Sequence, residues 1–449
     1  MNLSFLRKRS TKTFLNGVHP DEAKHYSCAS PIKRLPFGRD FVIPLSQHIG
    51  APAKAVVKKG EQVRRGQLIA EPGGFVSVAH HSPVTGTVSA VELAEHPGGK
   101  MLTSIKIKAD PFASQRFEEP KPLDWEGMEP GDFLRHLQRS GMVGLGGAAF
   151  PSHVKFHLPE GKRCKYLILN GCECEPYLTA DHRVMLEFPD FIVHGTRLLR
   201  HFLKPEKVLV GIEANKMDAV QTLREAFLEA DEAAEVVPLE VKYPQGAEKM
   251  LITALLEREV PSGKIPLEVE TLVSNIGTVS AIGQYFLTSQ PLIERVVTVT
   301  GPGIRRPANY LVPIGASLSE VLEASGGLTR DTSRILLGGP MMGMPQKSFE
   351  VPVTKGTSGL LALGPREVIP LKTRQCIRCG RCLEACPMFL NPSQLNLLAR
   401  KGLYEEMLEE RVMDCMECGS CSFVCPSAIP IVQSIRVAKA IHREKQEAA

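Results

Sequence analysis

Eight of the twelve cysteines in this 449-residue chain fall into two runs with a single spacing. The first is Cys376, Cys379, Cys382 and Cys386 followed by Pro387; the second is Cys415, Cys418, Cys421 and Cys425 followed by Pro426. Three thiolates on one tight turn can wrap three corners of an iron–sulfur cubane, and the fourth ligand has to come from elsewhere in the fold. That is the C-x2-C-x2-C-x3-C-P pattern of paired [4Fe-4S] clusters, in which the fourth cysteine of each run serves the other cluster. The spacing therefore assigns Cys376, Cys379, Cys382 and Cys425 to one cluster, and Cys415, Cys418, Cys421 and Cys386 to the other. Zinc sites gather four ligands in pairs, and disulfides need an oxidising compartment; two matched runs of four fit neither well. Gly380 and Gly419 fall where each run turns hardest, and a side chain there is expected to crowd the cluster.

Two clusters imply electron transfer, and the rest of the chain has to supply a donor. The length allows about three domains. With 43% apolar and 23% charged residues the composition is that of an ordinary soluble protein. A net charge of +5 is too small on this length to argue for nucleic acid. No run approaches the roughly 18 apolar residues that a membrane span needs, and no secretory leader is evident. The expectation is a soluble or peripheral cytoplasmic protein with no transmembrane segment of its own. Arg7, Lys8, Arg9 and Lys12 make the N-terminus basic; a solvated arm is the simplest reading, contact with an anionic partner or lipid surface the other.

From Phe41 to Lys108 short β runs alternate with glycine, as in Val63, Gly66, Leu68 and Ile69, then Pro83, Gly86 and Val88. The pattern resembles a lipoyl or biotinyl carrier domain, a flattened β-barrel of hairpins. A working carrier presents a lysine at its hairpin tip. The tip here, Glu71 to Ser77, has none, so the barrel is expected to dock or pack. Adjacent His80 and His81 would face opposite sides of a strand, leaving one of them exposed. Asp110 to Gly131, with four prolines, reads as a linker.

After it a helix is expected over Asp132 to Ser140, leading into Gly141-Met142-Val143-Gly144-Leu145-Gly146-Gly147. Glycines let a backbone approach phosphate closely. A buried strand, Lys165 to Leu169, ends in Asn170-Gly171-Cys172-Glu173-Cys174-Glu175-Pro176, and open α/β sheets place ligands at such strand ends. Strands at Lys207 to Ile212 and Val236 to Tyr243, with a helix over Asp218 to Glu229 between them, continue a parallel α/β alternation. The second of these strands runs into Pro244-Gln245-Gly246-Ala247-Glu248. Cys172 and Cys174 lack further ligands and read as free thiols.

The glycine run, the Asn-x-x-Glu-x-Glu-Pro run, the Tyr-x-x-Gly-x-Glu loop and Thr271 to Ile276 come in the order found in the flavin- and NADH-binding subunit of respiratory complex I. With a barrel first and two cluster runs last, the chain from 16 to 445 resembles the C-subunit family of Rnf electron-transport complexes. Gly17-Val18-His19-Pro20 and the stretch Pro44 to Pro52 fit that family. The resemblance implies FMN and NAD(H) beside the two clusters. It places Gly144, Gly146, Gly147 and Lys155 on the FMN ribityl and phosphate, and Asn170, Glu173 and Asn275 around the flavin. Phe150, Glu175, Tyr243 and Glu248 fall to the nicotinamide nucleotide, and Gly246 of the Tyr-x-x-Gly-x-Glu loop is counted among the cofactor-binding residues. It further implies a peripheral position on the cytoplasmic face of the cell membrane, among the other subunits of an Rnf-type complex, one of them a ferredoxin-like iron–sulfur protein. There the chain would pass electrons between NAD(H), FMN and the clusters in ferredoxin:NAD+ oxidoreduction coupled to ion transport. Leu145, Cys172 and Ala247 stand where complex I has arginine, aspartate and glutamate. Two rivals stay open, a cobalamin reductase sharing these motifs and an iron–sulfur relay or docking scaffold with a degenerate flavin site.

The expected architecture is multidomain α/β: an arm (1–39), a lipoyl-like barrel-sandwich β domain (40–110), a linker (111–131), a Rossmann-like FMN/NADH domain (132–290), a β-grasp module (291–365) and an all-helical two-cluster ferredoxin domain (366–449). In the β-grasp module, strands are expected over Val296 to Thr300 and Tyr310 to Ile314 and a helix over Leu318 to Ala324. Arg305 and Arg306 read as solvated, and Met341 to Met344 as core or interface. In the last domain, helices are expected over Pro392 to Arg400, Tyr404 to Arg411 and Val432 to Lys445, the last covering the second cluster.

Overall fold

The computed structural model describes residues 11–117, 121–368 and 372–448. Arg7, Lys8 and Arg9 lie outside them. Lys12 does not behave as part of a solvated arm: its backbone bridges Leu239, and its Nζ donates to Leu255 O at 2.8 Å. Residues after it are also built in. Phe14 and Val18 are buried, and Ile32–Arg34 forms a parallel edge strand beside Ala308–Pro313. The reason is that apolar side chains at 14 and 18 find a core distant in sequence, which a composition argument does not see.

The barrel is two small antiparallel sheets. One is ordered Asp40–Pro44, Met101–Ala109, Gly86–Glu95, Gln62–Val63; the other is Lys54–Ala55, Leu68–Glu71, His80–His81. Its tip docks on the next domain, as a tip without a lysine suggests. Gln138 Nε2 donates to Ser77 O at 3.1 Å, and His153 Nε2 meets Phe75 O at 2.7 Å. Neither His80 nor His81 is exposed, contrary to expectation. His80 is fully buried between the carbonyls of Leu45 and Ala79, and His81 is half-buried, because the strand is covered on both faces.

The proline-rich linker is strapped down in its described part. Leu123 N donates to Phe286 O at 2.8 Å, and Leu123, Trp125 and Met128 pack on the main core. The following helix, Pro130–Arg139, starts two residues earlier than expected, with proline in its first turn.

The third unit has four parallel strands ordered Glu235–Leu239, Lys207–Glu213, Tyr166–Asn170, Thr271–Asn275. Helices Pro189–Leu203 and Ile276–Thr288 cross against each other at Gly195 and Gly283. A Cβ on either glycine would stand about 2 Å from a carbonyl oxygen of the other helix, 2.1 Å from Val279 O and 1.9 Å from Phe191 O.

The β-grasp module has strands Glu294–Thr300, Ala308–Pro313, Arg334–Leu337 and Gly359–Leu363, with helix Leu318–Ala324 opened by a Ser317–Glu320 capping box. Arg305 and Arg306 are exposed, as expected. Two buried contacts lock this module to the rest. Glu294 binds Arg34 at 2.7 Å and the barrel's Arg65 at 2.5 Å, and Lys355 Nζ donates to Ala79 O and Gly141 O at 2.9 and 2.8 Å.

The C-terminal domain is helical among its described residues: Arg381–Glu384, Pro392–Lys401, Tyr404–Glu409, Ser420–Phe423 and Ile431–Ala448. Asn391 caps the second helix and Gly402 ends it at a φ of +71°.

Candidate redox centres

The parallel strands end at Asn170, Glu213, Leu239 and Asn275, and the loops that follow them meet at one edge of the sheet. Asn170 Nδ2 donates to Gly246 O at 2.8 Å, joining two of those loops. Asn275 caps the helix behind it by accepting from Thr278 N at 3.2 Å, and its Nδ2 donates to Asp181 Oδ2 at 2.6 Å. The glycine run folds against this edge. Gly144 N donates to Phe150 O at 2.8 Å, and a Cβ on Gly146 would stand 3.4 Å from Asn275. At Gly147 the φ of +113° requires glycine, and a Cβ would enter open space. Lys155 Nζ meets Glu248 Oε1 at 2.7 Å, so the residues expected at phosphate and nucleotide are neighbours here.

The residues fit a bound cofactor. Glu175 Oε1 and both amide atoms of Gln245 are buried without a partner in the protein, and orphans of this kind call for another group. Burial pushes the Glu175 carboxyl up to about 7, although its Oε2 accepts from Met341 N at 3.1 Å. Asp181 is also pushed up to about 7, first by burial and then by the neighbouring Glu173 charge.

Two of the expected residues are engaged within the protein. The Glu173 carboxylate accepts from Asp181 N and His182 N at 2.8 and 3.1 Å, capping the helix Ala180–Glu187. Tyr243 is 1% exposed, and its hydroxyl donates to Cys418 O at 2.7 Å. It therefore joins the sheet edge to the second cysteine run. Cys172 is a buried thiol and Cys174 a half-buried one, both pushed up by desolvation and held at Gly211 O and Gly246 N.

Sequence reading missed the cations beneath this edge. Lys24 Nζ donates to the carbonyls of Glu173, Glu175 and Leu178 at 2.7, 3.0 and 2.6 Å. Lys216 Nζ donates to Cys172 O at 2.7 Å and pairs with Glu213 at 3.0 Å. Buried Arg295 donates to Leu145 O at 3.2 Å, bringing a guanidinium to the position where the glycine run lacks one. None belongs to a motif, and no pattern in the sequence marks them.

In the cluster domain the two runs share one backbone. Arg378 and Glu417 have φ of 55° and 59°, Gly380 and Gly419 79° and 83°, Phe389 and Ala428 54° and 49°. Each pair is separated by the 39 residues that separate the runs (415 − 376). Glycine at 380 and 419 thus answers to backbone conformation, and at 419 a Cβ would also lie 3.0 Å from Met341 O. Cys386, Cys415, Cys418 and Cys421 line one small cavity, roofed by Val432 and Ile435 of the terminal helix. This is the set of four that the crossed ligand pattern requires. The other crossing is held by backbone: Arg374 N donates to Ser427 O, and Ser427 Oγ to Gln375 O, both at 2.9 Å, which brings the chain after Cys425 against the start of the first run. Among the described residues no three His, Cys, Asp or Glu side chains converge on a point fit for one ion; the sulfurs ring a space. Burial pushes Cys415 up to about 11 and Cys421 up to about 12, so cluster assembly displaces protons there.

The second run abuts the sheet edge. Besides the Tyr243 bond, Asn16 Nδ2 donates to Cys386 O at 3.0 Å, and Ala385, Cys418 and Val424 pack with Val18, Tyr243, Cys174 and Met341. The methionine stretch is in this way an interface through Met341, while Met342 and Met344 are exposed.

Fold and sites together define a flavin and iron–sulfur electron-transfer protein. Family models match in the same order: an RnfC barrel sandwich hybrid domain over 12–111, a Nuo51 FMN-binding domain over 137–284, an SLBB domain over 296–345 and a 4Fe-4S dicluster domain over 372–429. The chain is 45% identical to the C subunit of the proton-translocating ferredoxin:NAD(+) oxidoreductase complex of Clostridium ljungdahlii, covering 97% of this chain and 95% of that one. It is 40% identical to the C subunit of the Na(+)-translocating complex of Acetobacterium woodii, over 95% and 96% of the two chains. The C subunit of an ion-translocating oxidoreductase complex of Haemophilus influenzae is longer, and this chain spans 66% of it at 40% identity. An NAD+-reducing [NiFe]-hydrogenase shares the fold at a TM-score of 0.50 and 16% identity, over 69% of this chain and 63% of that one. The chain belongs to the C-subunit family of Rnf-type oxidoreductase complexes.

Proposed function

We propose that this chain is the peripheral subunit of a membrane-bound Rnf-type complex that exchanges electrons between NAD(H), FMN and two [4Fe-4S] clusters, in ferredoxin:NAD+ oxidoreduction coupled to ion transport. The observation that carries the reading is the direct seam between the two sites, where Tyr243 at the sheet edge donates to the backbone of Cys418. FMN, when bound, supplies the step between a two-electron hydride donor and one-electron clusters.

The chain's own residues hold and orient. Gly144, Gly146 and Gly147 offer backbone to the ribityl and phosphate, with Lys155 as the cation. Asn170 and Asn275 present amides to the flavin edge from strand ends fixed by the sheet. Phe150, Glu175, Gly246 and Glu248 border the nucleotide. Lys24 and Lys216 place buried positive charge under the loop 172–178, which favours negative charge on a cofactor above it. No helix among the described residues is long and apolar enough to cross a membrane. Ion movement on this reading belongs to other subunits, and the chain sits on the cytoplasmic face, where NADH is. The barrel preceding the flavin domain favours this reading over the cobalamin-reductase one.

The test is anaerobic purification with flavin and iron quantified and NADH added. Bound FMN, about eight irons per chain and bleaching of cluster absorbance are expected. Iron without flavin, or no response to NADH, would leave a relay scaffold instead.

A further inference from the structure

The two cysteine runs share a backbone but present opposite charge. In the second run the position after the second turn residue is Glu417, neutralised by Arg436 at 3.2 Å and Lys439 at 2.8 Å from the terminal helix. In the first run the equivalent position is Arg378. It is exposed, as are Lys372, Arg374 and Arg381, and none of the four is in an ion pair among the described residues. Glu384 is the one carboxylate in the sequence between Lys372 and Cys386. Cys376 and Cys379 are themselves exposed, whereas Cys386 and Cys421 are buried. Unpaired cations around a solvent-facing cluster loop make a local field that steers an anionic partner to the electron-exchange point.

We propose that this basic rim is the docking surface for an acidic redox protein, with the first cluster as the point of exchange. The inference rests on the electron-transfer reading above and names its partner's chemistry. One electron crosses per encounter: one centre is oxidised as the other is reduced, and no bond is made or broken. An anionic lipid surface is the lesser fit. It neither supplies nor accepts electrons.

The experiment uses the holoprotein with flavin and clusters, a strongly acidic two-cluster ferredoxin as probe, and the double variant R378E/R381E. Glutamate already occupies the matching backbone at 417, and neither arginine has an ion-pair partner to lose. The exchange rate with the probe is expected to fall about tenfold at low ionic strength, the gap closing as salt screens the charges. A second variant, K372E/R374E, should move in the same direction. Bleaching of the chain's own clusters by NADH should not change. Loading the clusters with dithionite reads the charge effect even where NADH does nothing, so failure of the electron-input reading is seen separately. An unchanged exchange rate in both variants overturns the proposal. So does a variant that keeps its rate but stops binding vesicles of equal phosphatidylglycerol and phosphatidylcholine, which would make the rim a lipid contact.

Discussion

The first and second cysteine runs are one local structure in two settings. The same left-handed residues recur 39 positions apart (415 − 376), yet the second run is enclosed by the terminal helix, the sheet edge and Met341, while the first faces water. A ligand motif fixes how a cluster is gripped. Its surroundings decide whether the cluster talks to the inside of the chain or to a partner. With the crossed ligand pattern, the inner cluster would be joined to the flavin side by the hydrogen bonds to Cys418 O and Cys386 O, and the outer one has no such seam among the described residues.

The largest test of that contrast is a pair of ligand removals. Cys421→Ala and Cys379→Ala should each lower iron from about eight to about four per chain. After Cys379→Ala, NADH should still bleach the remaining inner cluster; after Cys421→Ala the outer cluster should stay oxidised, as read by absorbance and electron paramagnetic resonance. Identical behaviour would break the inner–outer distinction. Next in size is Lys439→Met. Lys439 Nζ also donates to Cys415 O at 2.8 Å, and removing it leaves Glu417 to Arg436 alone. A loss of about 2–3 kcal/mol is expected in denaturant melts, against less than about 0.5 kcal/mol for exposed Arg381→Met.

A pH effect sharpens the flavin side of the seam, where Glu175 holds Met341 against Gly419. The native carboxyl titrates near 7 and an unfolded one near 4.5, so the folded state binds the proton more firmly. The contribution of this group is then fully present below pH 4.5, is lost between 4.5 and 7, and stays absent above. Glu175→Gln should flatten that slope and add about 2 kcal/mol at pH 8 in the apoprotein, read from melts at pH 5 and 8. The smallest effect is Tyr243→Phe, about 1 kcal/mol from one hydrogen bond. It should shift the potential of the inner cluster and leave the outer one unmoved in a redox titration; equal shifts would argue that the seam is not specific.

What the sequence shows well is local. Cysteine spacing, the glycine run and the asparagine at the end of each of two strands are short-range patterns tied to backbone geometry, and the structure gives the two runs one backbone and sets both asparagines at strand ends. What it hides is who touches whom across domains. Tyr243 and Glu173 carry family motifs, but their partners, Cys418 O and the amides at 181 and 182, depend on how separate units pack. Lys24 and Lys216 look like ordinary lysines because the acceptors that converge on each ammonium, three carbonyls for Lys24 and Cys172 O with the Glu213 carboxylate for Lys216, leave no periodic trace. The linker and the N-terminal segment mislead for the same reason: prolines and cations describe a solvated chain until Trp125 or Phe14 meets a core elsewhere.

The strand Ile32–Arg34 pairs with residues 309–311, and Asn16 reaches the backbone of residue 386. These contacts span 277 and 370 residues (309 − 32 and 386 − 16), so they close only after most of the chain has been synthesised. They are therefore expected to form after Lys12 and Val18 have met Leu239 and Tyr243. A C-terminal truncation just before the β-grasp module should leave the amide of Leu35, which donates to Leu311 O at 3.0 Å, unprotected in hydrogen exchange, while Val18, paired with Tyr243, keeps its protection.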